Sequence, residues 1–218
     1  MNNPQLYAYN DAKIRAQQAF QFSLQGETAQ AQELLQRTHS ELKSLSGDVL
    51  VTGYNRVQEE SIDTQALTRT FEQTQAWGWF ELASGIFQIM RDRPGTSMVY
   101  FKRAWRIWRP WSTNAVSEVQ RYEAKRERAR TGLWLGEAWA RFMSDRAQQS
   151  ANAILRAALT ELLRIEAYDL LQETIDQQSL LPPAPPGSLA YNNGRHIPYI
   201  CLFFTQSAFL EQLLYSRR

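Results

Sequence analysis

The amino-acid sequence predicts an all-α protein, either an irregular helical bundle or an array of helical hairpins. Apolar residues recur at helical intervals along most of the chain, and glycine, proline and short polar clusters separate these stretches. A proline-rich segment at 181–187 then precedes an apolar C-terminal stretch. We therefore expect a helical domain over 1–180, a linker and loop over 181–198, and a C-terminal helix over 199–218 that packs on the body.

The N-terminal half contains several predicted helices. Residues 5–24 and 27–45 carry apolar stripes on either side of Gly26, which predicts a helical hairpin. Residues 49–60 are predicted to form a helix, although their first residues also suit a short strand. A longer helix is expected to start at a cap on Asp63 or Thr64 and to end before Pro94.

The C-terminal half continues the pattern. A helix is expected from a cap at residue 96 or 97 to Arg109, where Pro110 stops or kinks it. Residues 115–142 form another predicted helix. The run 144–175 reads as one helix, because its apolar stripe continues without interruption.

The last segment begins with a predicted turn at 192–194, which contains two asparagines and a glycine. Residues 199–215 are largely apolar and predict a short helix, although 199–204 also suit an extended strand. So much apolar surface would remain exposed on an isolated tail that we expect it to dock on the helical body.

Composition limits the class of protein. Cys201 is the single cysteine, so an internal disulfide is excluded and a reducing compartment, the cytoplasm, is expected. The first residues do not predict a signal peptide. The longest weakly polar runs, 76–90 and 199–210, are shorter than the ~20 residues that a transmembrane helix needs, so no membrane span is expected.

Two stretches resemble tetratricopeptide-type helix pairs. In the first stretch, Phe20, Gly26, Ala31 and Leu35 lie where this family has an apolar residue, a turn, a small residue and a packing residue. In the second, Gly85, Phe101, Ala104 and Pro110 lie near the family's glycine, aromatic, alanine and proline positions. The resemblance covers about a third of the chain, and the first stretch lacks a closing proline. It implies a non-catalytic scaffold with a partner-binding groove.

The centre of the chain is basic and rich in tryptophan. Residues 91–130 contain eleven Lys/Arg and four Asp/Glu, a local net charge of +7, whereas the remainder carries −5. The predicted partner-binding residues are aromatic: Phe101, Trp105, Trp108 and Trp111. The alternative, nucleic-acid binding, uses the cations Lys102, Arg103, Arg106, Arg109, Arg121, Lys125 and Arg128.

Both sets also have a purely structural explanation. The aromatic face can be core, and the basic face can be solvated or ion-paired. In the segment 121–130, for example, Glu123 can pair with Arg126, and Glu127 with Arg130, on an exposed helix face.

Residues for catalysis are less evident. Glu59, Glu60 and Asp63 form an acidic cluster, which could hold Mg²⁺ or could simply be exposed. The two histidines and one cysteine cannot supply a typical zinc site, and no nucleophile, phosphate-loop or dinucleotide motif occurs. We therefore expect no cofactor and no metal site.

These observations favour a non-catalytic helical interaction protein: a scaffold, an adaptor or a small subunit of a larger assembly. The alternative is a nucleic-acid-binding subunit that uses the region 91–130. A metal-dependent enzyme built on the acidic cluster is the weakest of the three hypotheses. A protein partner is expected, and oligomerisation stays open.

Overall fold

The computed structural model describes residues 4–46, 70–115, 117–192 and 195–206. Within these ranges the chain forms eight helices: α1 Pro4–Leu24, α2 Thr28–Ser46, α3 Phe71–Met90, α4 Pro94–Asn114, α5 Glu118–Arg141, α6 Ala147–Arg164, α7 Tyr168–Gln178 and α8 Tyr199–Gln206. Two two-residue strands, β1 Tyr191–Asn192 and β2 Arg195–His196, pair antiparallel between α7 and α8. The prediction of an all-α bundle or hairpin array is confirmed.

Several helix ends differ from the predictions. Helix α3 begins after Thr70, an N-cap with extended backbone whose hydroxyl accepts from Gln73 N–H, while the predicted caps Asp63 and Thr64 lie outside the described residues. Helix α4 begins directly at Pro94, where a missing N–H costs nothing. Pro110 does not stop α4, which continues to Asn114. The predicted element at 49–60 lies outside the described residues.

The run 144–175 is two helices and not one. Helix α6 ends at Arg164, and Glu166 adopts a positive φ of 56° that turns the chain into α7. The sequence pattern does not indicate this break, because the apolar stripe continues through it and Leu162, Ala167 and Leu170 are all buried.

From α1 to α7 neighbouring helices pack in chain order, α1 also lies against α3, and α8 packs on α5. Close approach of α3 and α4 depends on glycine, since a Cβ on Gly85 would overlap the ring of Phe101 and one on Gly78 would overlap Trp108. Helices α5 and α6 meet in the same way at Gly136, where a Cβ would lie 2.6 Å from Leu155.

The buried side chains form two cores that share α5. The first lies among α1–α5, where Phe20 packs edge-on against Trp79 and Trp134 at centroid distances of 5.9 and 6.1 Å. The second lies among α5–α8 and includes Leu133 and Tyr199.

The C-terminal helix is anchored on α5 by a buried ion pair. Arg141 Nε donates to Glu137 Oε1 at 2.9 Å, and the Tyr199 N–H at the start of α8 donates to Glu137 Oε2 at 2.7 Å. Arg141 Nη2 also donates to the carbonyl of Pro182 at 2.7 Å, so one pair fixes both the proline-rich segment and α8. A carboxylate at a helix N-terminus is favourable because it faces the positive end of the helix dipole.

Among the residues that the structure describes, none of the helices combines the length and hydropathy that a bilayer span requires.

Candidate functional site

Two of the four predicted partner-binding aromatics lie in the core. Phe101 is fully buried against Gly85 and stacks on Trp134 with centroids 6.3 Å apart. Trp108 is buried against Gly78. This placement corrects the expectation that these two rings are presented to a partner, because neither can reach one without unfolding the contact between α3 and α4.

The other two aromatics are half-buried. Trp105 carries the Arg128 guanidinium over its ring at 4.2 Å, and Trp111 packs against Phe71 at a centroid distance of 5.0 Å. Both rings keep some exposed surface, so their role as partner contacts stays a prediction.

Six of the seven predicted nucleic-acid-binding cations have partners inside the chain. Lys102 lies over the Trp139 ring at 5.1 Å, Arg103 is 3.9 Å from Glu81 and over Tyr100, and Lys125 is 3.6 Å from Glu161. Arg128 Nη1 donates to Ser112 at 3.2 Å, and Arg106 and Arg109 also interact within the chain.

Two of these arginines are partly removed from water. The pKa of Arg128 is lowered by burial, with Glu161 opposing the shift and Arg109 adding to it. Arg121 is half-buried, and its Nε donates no hydrogen bond to a described residue. These two guanidinium groups are therefore less open to a phosphate than fully exposed cations would be.

A groove that the sequence did not predict lies on the described surface. It lies between the α1–α2 hairpin and the pair α5 and α7, encloses about 870 Å³, and has Trp79 of α3 in its floor. We call it the glutamine groove after the five amides among its lining residues: Ile14, Gln17, Gln18, Gln21, Phe22, Gln25, Gln30, Glu33, Leu34, Trp79, Glu127, Arg130 and Glu173. Binding sites of proteins commonly have this size and this mixture of apolar and polar groups.

A buried charge cluster forms part of the floor. Arg130 lies over the Trp79 ring at 5.1 Å, 2.9 Å from Glu173 and 3.1 Å from Glu127. Glu127 and Arg130 are each only 6% exposed. The predicted pair of Glu127 and Arg130 therefore exists, but on a buried face and not on the exposed one that we expected.

Glu127 is incompletely satisfied. Its Oε2 is within ion-pair distance of Arg130 Nε, yet the angle does not make a hydrogen bond, and this oxygen accepts none from any described residue. Burial raises the pKa of Glu127, and Arg130 opposes that shift without cancelling it. The carboxylate would gain from a further cation or hydrogen-bond donor.

Glu123 and Arg126 do not pair with each other, contrary to the expectation. Glu123 contacts Lys13 at 3.5 Å and accepts from Gln75, whereas Arg126 binds Asp169 at 2.6 Å. Long-range partners on α1, α3 and α7 thus replace the local pair.

A second, smaller groove of about 450 Å³ lies between α2, α3 and α4. His39 stacks on Phe80 there at 5.4 Å, and Arg103 is the one predicted cation among its lining residues. Neither of these two grooves brings the predicted cations together, because the other six line neither.

Potential metal ligands do not cluster in the described parts of the chain, where no group of three His, Cys, Asp or Glu could hold an ion. The acidic cluster of Glu59, Glu60 and Asp63 lies outside the described residues. Burial, followed by the charge of Glu137, raises the pKa of the Cys201 thiol, which disfavours a reactive thiolate.

Comparison with protein-family models yields no match, and searches of curated proteins and of solved structures likewise find none. The tetratricopeptide resemblance therefore stays a prediction. The hairpin turn at Gly26, with its φ of 79°, agrees with it locally but is common to helical hairpins in general.

Proposed function

We propose that this chain is a non-catalytic interaction protein whose glutamine groove receives a segment of a protein partner. One observation carries the proposal: a groove of about 870 Å³ lies across the helical body, and buried charged groups lie in its floor. A groove with no binding role would be expected to have apolar side chains at its base, because burying incompletely paired charge is costly.

The lining suits a peptide better than a small apolar molecule. Five glutamine amides can donate to and accept from peptide backbone, while Ile14, Phe22, Leu34 and Trp79 supply apolar contact. Ile14 is 51% exposed, so its side chain is free to make apolar contact with a partner. Cys201 fits a reducing compartment, so we propose the cytoplasm as the site of this interaction.

The test compares capture of partners by three forms of the chain. Gln21→Trp places a large ring in the groove, and Gln149→Trp places the same ring on an exposed glutamine of α6 outside it. Each purified form is immobilised, incubated with nuclease-treated extract of the source cells, and analysed by mass spectrometry. We expect at least one protein that the wild type and Gln149→Trp retain and Gln21→Trp loses. Identical captured sets for all three forms would contradict the groove as the binding site.

Nucleic-acid binding is the alternative, and the intramolecular partners of its cations speak against it. It predicts affinity for RNA or DNA that falls steeply between low and moderate salt. Titration of labelled single-stranded RNA and duplex DNA at low ionic strength tests it directly, and absence of binding to both would dispose of it.

A further inference from the structure

We infer that the partner segment in the glutamine groove is basic and inserts an arginine side chain beside Glu33, Glu127 and Glu173. This inference rests on the proposed function and specifies its ligand.

Charge complementarity is the first argument. Among the groove's lining residues, Glu33, Glu127 and Glu173 supply three carboxyl groups and Arg130 a single guanidinium, so the formal net charge of the lining is −2 and stays negative even if the buried Glu127 holds a proton. Arg130 does not neutralise the site, because its guanidinium is shared between two carboxylates at 3.1 and 2.9 Å. An electronegative cleft with low-dielectric walls attracts cations and repels anions.

The unsatisfied carboxylate is the second, independent argument. Glu127 is 6% exposed, lines the groove, and has one oxygen that accepts no hydrogen bond from a described residue. A buried carboxylate that Arg130 compensates only in part is stabilised by a further positive charge nearby, so a cationic ligand in the groove recovers part of the cost of burying it.

Arginine fits this cationic role, and its geometry suits the other acceptors of the groove. A guanidinium has five N–H groups in one plane, and the groove presents carboxylate oxygens together with the carbonyl oxygens of five glutamines. Its aliphatic stem can lie on Ile14 and Leu34, which line the same groove.

The test uses fluorescence anisotropy with three labelled peptides that share one leucine and alanine frame and carry Arg, Gln or Glu at the same positions. We expect the Arg peptide to bind about tenfold or more tightly than the Glu peptide at low salt, and this difference to shrink as salt rises. Equal or tighter binding of the Gln or Glu peptide would overturn the charge inference while leaving the groove as a binding site.

Variants locate the binding. Glu33 is exposed, so Glu33→Gln should leave the fold intact and weaken the Arg peptide about two- to fivefold. Glu33→Arg should weaken it further, and the matched control Glu118→Gln, which removes an exposed carboxylate outside the groove, should not. Equal effects of Glu33→Gln and Glu118→Gln would show that the peptide binds elsewhere.

The two proposals fail in different ways. If Gln21→Trp changes neither extract capture nor Arg-peptide affinity, the groove does not bind protein segments at all. If Gln21→Trp abolishes capture but the Arg peptide has no preference over the other two, only the basic character of the partner is refuted.

Discussion

Replacing Glu137 with alanine should destabilise the protein strongly, because it breaks the ion pair that holds the C-terminal helix. Glu137 and Arg141 are each about 1% exposed, so Arg141 would become a buried charge without its carboxylate. The Tyr199 N–H would lose its acceptor in the same step. Breaking a buried pair on one side typically costs about 3–5 kcal/mol. At roughly 2–4 °C per kcal/mol for a chain of this length, Tm should fall by about 6–20 °C.

Thermal and urea unfolding followed by far-ultraviolet circular dichroism measure this loss. Glu161→Ala is the control, since it removes a half-buried partner of Lys125 at 3.6 Å and should cost no more than about 1 kcal/mol. Replacing Glu137 and Arg141 together by Leu and Met should recover most of the loss, because no charge is left buried. A Glu137→Ala variant as stable as Glu161→Ala would refute the reasoning.

Three further predictions follow from contacts described above. Gly85→Ala should lower the free energy of unfolding in urea by about 1–3 kcal/mol, because its new methyl group overlaps Phe101. A neutral or stabilising effect would mean that α3 and α4 move apart readily. Because burial raises the pKa of Glu127 in the folded state, its contribution to stability falls as pH rises from about 4.5 through that raised pKa. When urea midpoints are compared across pH, Glu127→Gln should lack this slope, and parallel profiles of variant and wild type would contradict the prediction. The Cys201 thiol should react with a disulfide reagent far more slowly in the folded chain than in urea at the same mildly alkaline pH, and equal rates would contradict its raised pKa.

The fold could be predicted from the sequence because the spacing of apolar residues indicates which helix faces are buried, and glycine, proline and polar clusters indicate where helices end. The break at Glu166 could not, since an apolar stripe continues through it and only the backbone reverses. The sequence left open whether Pro110 stops or kinks its helix, since a proline removes one backbone donor in either case; α4 continues past it to Asn114.

The site was much harder to predict than the fold. An apolar face suits both a core and an interface, so the sequence could not distinguish the buried Phe101 and Trp108 from the half-buried Trp105. The glutamine groove is built by residues from five helices, and glutamine has no periodic or chemical signature of its own. The one local signal was the spacing of Glu127 and Arg130, which is identical for exposed and buried pairs.

The C-terminal half of helix α5, residues 129–141, exposes little of its surface to water, because Trp134 packs in one core and Leu133 in the other. Displacing this half of the helix would expose both cores to water together, so we expect its backbone amides to exchange with solvent mainly through global unfolding. Helix α5 thereby couples the N-terminal and C-terminal parts of the chain into one cooperative unit. Because Glu127 and Arg130 lie on this helix, part of the groove is built on the same unit.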